Sequence, residues 1–267
     1  MIASFRTNMR LFWDGAVLSY IALFRWLRPS TYIASKVFGP LVYMLFFVIL
    51  GRYATGSTDA SFYVIGNAMQ MTAWSGIYGI TMSITGDRWD GTLPYVFGAP
   101  ANRLVVFLGR AFIHVIDGYF GVVLGFIYGV TLMGLDLSNT HLGALATAIL
   151  ITTISTSGLG MLLGCLSLMT RNVMFVNNTV FFGMLLFSGA NVDINTFPIW
   201  MQRISYALPL TRGIQAARRI VQGASFSEVS ALLGVEFLYG LIYIALGYAF
   251  FRWFEIQAKR RGTLDAV

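Results

Sequence analysis

Six apolar runs constrain this chain more than anything else in it. They cover roughly 32–50, 62–84, 104–133, 142–169, 173–189 and 231–254. A helix needs about 20 mainly apolar residues to cross ~30 Å of hydrocarbon, and lipid offers the backbone no hydrogen-bond partner, so each run is expected to be a helical span. The third is long enough to begin in the interface, whereas the fifth is short, as though it broke before completing its crossing. Only 11% of residues are charged and mean hydropathy is +0.72, against roughly 25% charged in soluble domains. The expected fold class is therefore an all-α integral membrane protein with six transmembrane helices.

Residues 2–28 have a different pattern. Ile2, Phe5, Met9, Phe12, Trp13, Val17, Tyr20, Phe24 and Leu27 recur at three- and four-residue spacing, while Arg6, Arg10 and Asp14 share another face. Such periodicity predicts an amphipathic helix lying in the membrane interface. Arg25 and Arg28 close it, and Pro29 disfavours its continuation. The start of the chain lacks the short apolar core and small-residue cleavage site of a signal peptide. The chain thus divides into an interfacial helix over 1–30 and one membrane domain over 31–267. No internal repeat is apparent.

Six crossings put both termini on one side, and basic residues choose that side. Arg6, Arg10, Arg25, Arg28, Lys36, Arg88, Arg103, Arg110, Arg171, Arg252, Lys259, Arg260 and Arg261 fall with the termini; Arg52, Arg203, Arg212, Arg218 and Arg219 fall opposite. The first group is much the larger, so the termini and the 85–103 loop are expected to be cytoplasmic. The same distribution explains the net charge of +7 without nucleic acid.

Several chemistries are excluded. No Gly-x-x-x-x-Gly-Lys-Ser/Thr phosphate loop occurs, and neither Lys36 nor Lys259 follows a glycine, so this chain has no such device for ATP. Cys165 stands alone, which precludes an internal disulfide, and one cysteine with two histidines cannot build a cysteine-rich zinc site. No catalytic set for a membrane hydrolase stands out.

Two polar interruptions carry a pattern. In the first, Asp87-Arg-Trp-Asp-Gly-Thr-Leu93 is followed by Ala99-Pro-Ala-Asn-Arg103. In the second, Phe187-Ser-Gly-Ala-Asn191 is followed by Phe197-Pro-Ile-Trp-Met-Gln202 and Leu208-Pro-Leu-Thr211. Together and in this order they resemble the two hallmark stretches of type-2 ABC exporter permeases. There, an acidic residue, Gly-Thr-Leu-Glu and Pro-x-x-Arg form the loop between spans 2 and 3. A Ser-Gly turn ends span 5, and an external amphipathic helix and a Pro-Leu-Thr turn follow. The resemblance covers the whole six-span layout. Pro94 stands where the family usually has an acidic residue, and Asp90 where a glutamate is commoner.

The resemblance implies a cytoplasmic coupling helix in 85–103 that docks into a separate ABC ATPase subunit, which would hold the ATP and Mg; this chain itself would hold no cofactor. Asp87, Arg88, Trp89, Asp90, Gly91, Thr92, Leu93 and Arg103 are the implied coupling residues. Trp89, Leu93, Tyr95, Val96 and Phe97 could supply an apolar anchor, and the charged residues could set register. The segment 187–230 would re-enter the outer leaflet, with Ile194, Phe197, Ile199, Trp200, Ile204 and Tyr206 facing lipid or a partner. Arg212, Arg218 and Arg219 at its edge would meet lipid phosphates or guide an anionic headgroup.

Ionisable residues inside spans suggest function by default. His114 and Asp117 lie three apart on one face of the third span, and Glu236 lies in the sixth. A proton relay and a mutually satisfied buried pair are both open to His114 and Asp117. Gly121, Gly125 and Gly129, with Gly160 and Gly164, form small-residue stripes expected to pack helices within one chain. For a substrate path, Asn67, Gln70, Met71, Trp74 and Tyr78 on the second span face Asn177, Asn178, Phe181, Phe182 and Met184 on the fifth. Such a wall suits an amphiphile with a few hydrogen-bonding groups, although helix packing would explain it equally.

These observations point to the membrane subunit of an ATP-driven ABC exporter in the plasma membrane, bacterial inner membrane by type. It would pair with a second permease copy, identical or not, and with ATPase subunits, and would move a drug, antibiotic, lipid or lipid-linked saccharide. The alternative is an ion-gradient-driven secondary transporter or channel using His114, Asp117 and Glu236. No pair of interrupted spans matches between the halves, against an inverted-repeat transporter.

Overall fold

The computed structural model describes residues 2–25, 28–56, 59–92, 95, 98, 102–168, 170 and 172–261, and no strand occurs among them. The chain runs through α1 (Ile2–Arg25), α2 (Pro29–Thr55), α3 (Ser61–Ala73), a π-helical turn (Trp74–Gly79) and α4 (Ile80–Trp89). It continues through α5 (Arg103–Met133), α6 (Leu142–Ser167), α7 (Val173–Phe187), a 3₁₀ turn (Ile194–Thr196), α8 (Ile199–Ala207), α9 (Thr211–Val221) and α10 (Phe226–Arg261).

Helix boundaries follow local chemistry. Pro29 opens α2, where its missing N–H costs nothing and its fixed φ is already helical. Asn102 caps α5 by accepting from the Leu104 N–H at 3.1 Å, and Asn172 caps α7 by accepting from Phe175 N–H at 3.2 Å. The sixth apolar run begins at 231, yet α10 begins at Phe226, because Glu228 Oε2 accepts from both the N–H and the hydroxyl of Ser225 at 2.7 Å. That capping box extends the helix outward past its apolar signal.

Among the described residues, four helices are long and apolar enough to cross a membrane: Ile33–Thr55, Leu104–Met133, Leu142–Ser167 and Phe226–Gln257. The second and fifth runs behave differently. Residues 61–89 form one continuous helical rod, but the π turn divides it into the shorter α3 and α4. Helix α7 has only 15 residues. Beyond it the chain turns back through the 3₁₀ turn, α8 and α9 before α10 begins.

Helix α1 packs along α5 through small residues and through Phe12 and Trp13, whose rings lie 5.3 and 5.7 Å from that of Phe112. Gly15 and Gly109 lie where an added Cβ would press on the Val106 and Phe12 carbonyls respectively. Ala16 and Ser19 are buried there, and the Ser19 and Ser83 hydroxyls share a 2.7 Å hydrogen bond. Phe5, Met9, Trp13, Val17 and Ile21 stay exposed, as an interfacial helix requires of its apolar side. Arg10 and Asp14 pair at 3.7 Å on the polar side.

Helix α6 is the hub of the bundle. Ala148, Thr152, Ser155, Thr156, Gly160 and Gly164 are buried along it, and such small side chains let neighbours approach closely. Gly160 meets Gly76 of the π turn, Thr152 meets Gly213 of α9, and Ser155 meets Gly240 of α10. The hydroxyls cost little in this interior because Thr152 and Thr153 each donate to the carbonyl four residues earlier, at 2.7 Å. Gly125 and Gly129 face Ala68 and Val64 of α3, and Gly164 faces Ile84 of α4, so the glycine stripes pack helices within the chain.

A Cβ on Gly160 would overlap the Gly76 carbonyl, a backbone atom that cannot swing aside. Gly160→Val is expected to cost about 3 kcal/mol, the upper end for overpacking. Thermal unfolding in detergent should show a lowered midpoint. Gly183→Ala, where no atom lies within 4 Å of the added carbon, should leave it unchanged.

Candidate functional site

The two hallmark stretches lie at opposite ends of the second-span rod. At the end beside α1, α4 closes with Asp90 at its C-cap and Gly91 in the left-handed region at φ 66°. Trp89 is 61% exposed, and Asp90 and Thr92 are exposed beside it. Tyr95, 78% exposed, donates its N–H to the Thr92 carbonyl at 3.1 Å. Leu93, Val96, Phe97 and the side chains of Asp87 and Arg103 lie outside the described residues, and with them most of the expected coupling helix. Arg88 turns inward. Its Nη1 donates to the carbonyls of Leu168 and Thr170 at 3.1 and 3.0 Å, closing the end of α6.

The expected substrate-path residues separate into two groups. Trp74, Tyr78, Asn178 and Phe182 form a face that this chain leaves open. There the Trp74 and Tyr78 rings pack 5.2 Å apart, both pack on Phe181, and the Tyr78 hydroxyl donates to Asn178 Oδ1 at 2.7 Å. Asn67, Gln70, Met71, Asn177, Phe181 and Met184 are buried behind that face. The second and fifth apolar runs thus touch directly instead of standing as opposing walls.

Two of the buried amides hold the turn after α7. Asn67 Nδ2 donates to Asn191 Oδ1 and to the Tyr63 carbonyl, both at 2.8 Å, and Gln70 Oε1 accepts from Ser188 Oγ at 3.3 Å. Asn177 is fully buried with neither amide atom hydrogen-bonded.

At the opposite end, two ionisable groups organise the segment between α7 and α10. The Leu208-Pro-Leu-Thr211 turn places Leu210 at φ 94°, a region that bulky residues adopt only when held there. Glu236 holds it: Oε1 accepts from the Leu210 N–H at 2.5 Å, at the start of α9, where the helix dipole favours a carboxylate. Arg218 Nη2 donates to the carbonyls of Phe62 and Ala190 at 2.9 and 3.1 Å, and its guanidinium lies 3.5 Å from the Phe62 ring centroid. Arg212 donates to the Tyr206 carbonyl at 2.7 Å and lies over the Tyr239 ring. Arg212 and Arg218 thus each direct one terminal nitrogen to internal carbonyls, whereas Arg219 is exposed.

Ile199, Trp200 and Ile204 of α8 and, partly, Phe197 and Tyr206 face outward, whereas Ile194 is buried. In the adjoining 57–60 region, hydrogen bonds from the Ser61 hydroxyl and amide, at 2.5 and 2.8 Å, hold the Asp59 carboxyl below the usual carboxylate range.

The profile of the family described as ABC-2 type transporter matches residues 16–221, from within α1 to the end of α9. The chain belongs to the ABC-2 type transporter family. It is accordingly a multi-pass membrane protein and the permease component of an ABC transporter. No curated protein matches the sequence.

Within the permease, His114 and Asp117 do not form the mutually satisfied pair that their spacing allows. Asp117 accepts from Lys36 of α2 and from Ser75 Oγ, the latter at 2.6 Å, while His114 Nε2 is buried without a partner. Lys36 read in sequence as a topology charge, and nothing in its spacing linked it to residue 117. Glu236 was visible as an intramembrane acid, but its acceptor role for Leu210 depends on a turn 26 residues away.

Replacing Arg218 by Met would strip two carbonyls of a charged donor, at about 3 kcal/mol. Limited proteolysis should then cut the 188–225 segment faster, and the unfolding midpoint should fall. Arg219→Met should change stability by less than about 0.5 kcal/mol.

Proposed function

We propose that the permease is the membrane subunit of an ATP-driven exporter, with six spans, cytoplasmic termini and a plasma-membrane location of the bacterial inner-membrane type. Two further crossings are assigned to the rod over 61–89 and to α7, which runs on into the re-entrant turn. ATP and Mg reside on separate ABC ATPase subunits. The family match over 16–221 supports this reading, together with a Gly-Thr-Leu loop that leaves Trp89 exposed at the end of the rod.

Trp89 supplies the aromatic anchor, and Asp87, Asp90, Gly91, Thr92, Leu93 and Arg103 complete the coupling set in the sequence. A large, rigid, exposed ring on a short loop suits a groove on a partner, where such anchors dominate binding energy. Arg88 acts differently from the rest of the set: it ties the loop to the end of α6, so a push on Trp89 reaches both the rod and the hub helix.

The open face of Trp74, Tyr78, Asn178 and Phe182 is the proposed substrate surface, facing a second permease copy across a central cavity. Aromatic rings with an amide and a phenol suit an amphiphile that needs a few hydrogen bonds and no counter-charge. Drugs, antibiotics, lipids and lipid-linked saccharides all meet that description. The buried Asn67, Gln70, Met71, Asn177 and Phe181 support the face from behind. An ion-gradient-driven transporter gains little support, since Asp117 is engaged by a lysine and Glu236 by a backbone amide.

The test is assembly of the permease with its partner ABC ATPase. Trp89→Ala should weaken co-purification at least about tenfold, the loss typical of an anchor residue. Permease-stimulated ATP hydrolysis should fall with it while thermal unfolding of the permease is unchanged. Undiminished assembly and hydrolysis would refute the coupling role.

A further inference from the structure

The π turn at Trp74–Gly79 is the one place where the second-span rod abandons α-helical register, and an ion pair sits on it. Lys36 of α2 and Asp117 of α5 pair with their side chains only 25% and 14% exposed. Ser75, the second residue of the turn, donates to the same Asp117 oxygen at 2.6 Å and lies 2.9 Å from the His114 carbonyl. On the same side, the His114 ring covers Gly79 and the α6 backbone covers Gly76. Trp74 and Tyr78 project the other way, onto the open face.

A π turn carries one residue more than the α-helical ladder would, so its presence sets the rotation of everything beyond it. Losing it would turn the rod's remaining residues by about 100°, the angle of one residue in a helix of 3.6 per turn. Tyr78 would leave Asn178, and the exposed indole of Trp89 would change its direction. Holding register is also the best-attested use of a buried ion pair, since apolar side chains of similar volume often give equal or greater stability.

We propose that Lys36, Asp117 and Ser75 are positioning residues that hold the π turn, and through it the orientation of Trp74 and Tyr78 relative to the coupling loop. The clamp joins the first, second and third spans at one point. It lies about 10 Å along α2 from Pro29, at 1.5 Å per residue, in the half of the bundle nearer the loop. The inference rests on reading the aromatic face and the loop as working parts of an exporter.

The experiment uses the permease assembled with its ATPase in lipid nanodiscs, with two readouts: amide hydrogen exchange over 74–79 and permease-stimulated ATP hydrolysis. The variants are Ser75→Ala, the apolar double variant Lys36→Met/Asp117→Leu, and the charge exchange Lys36→Asp/Asp117→Lys. In Ser75→Ala and the double variant, the turn should exchange about tenfold faster, the factor expected for losing a hydrogen bond to a charged group. Hydrolysis should drop with the thermal midpoint unchanged, and the charge exchange should recover both readouts in part.

Exchange at wild-type rates in Ser75→Ala would overturn the clamp, whatever hydrolysis does; that mild variant keeps the test decisive even where the double variant fails to fold. Faster exchange with unaltered hydrolysis would uphold the clamp and refute the reading that the face and loop work together.

Discussion

Inside hydrocarbon there is no water to satisfy a backbone group that leaves the helical ladder, so every irregular stretch must find its partner within the protein. This permease has several such stretches, and ionisable side chains meet them. Arg88 donates to the carbonyls that end α6, Arg218 to carbonyls at Phe62 and Ala190, and Glu236 accepts from the Leu210 amide. Asp117 meets the hydroxyl of Ser75 within the π turn. Residues that look like candidates for ion chemistry are thus mostly attached to backbone that would otherwise be unsupported.

That constraint also explains why α6 is central. Its buried face is small enough for the π turn, α9 and α10 all to approach it; the Thr152 and Thr153 hydroxyls donate within their own helix and the Ser155 hydroxyl to the Glu236 carbonyl of α10. The irregular elements therefore rest on a regular one. The rod that ends at Trp89 has at its middle a π turn pressed against α6, and its far end is tied through Asn67 and Gln70 to the turn after α7. The proposed coupling path follows these packed contacts from the loop to the aromatic face and on to the outer helices.

The apolar runs and the family were legible in the sequence because both are local properties. A long apolar run must be a helix in lipid, and the hallmark stretches are read in order along the chain. Helix α1 was legible through its period, although its close approaches use Gly15 against α5 and Ser19 against Ser83 of α4, which carry no hydropathy signal. The substrate-path residues were legible only as a stripe. Periodicity cannot tell which side of a stripe a neighbour covers, so Asn67 and Trp74 read alike until the fold buried one and exposed the other.

The sequence by itself determined that the chain is a helical membrane protein of the ABC-2 type and that it carries no phosphate-loop motif. Tertiary structure alone decided the partners of the charges. The basic residues counted as topology signals include an ion-pair partner at Lys36, a helix cap at Arg88 and a loop anchor at Arg218. The physical reason is range: burial and periodicity are set within a turn or two of helix. The partner of a charge can lie some 80 residues away, as Asp117 does from Lys36, and is fixed only when helices pack.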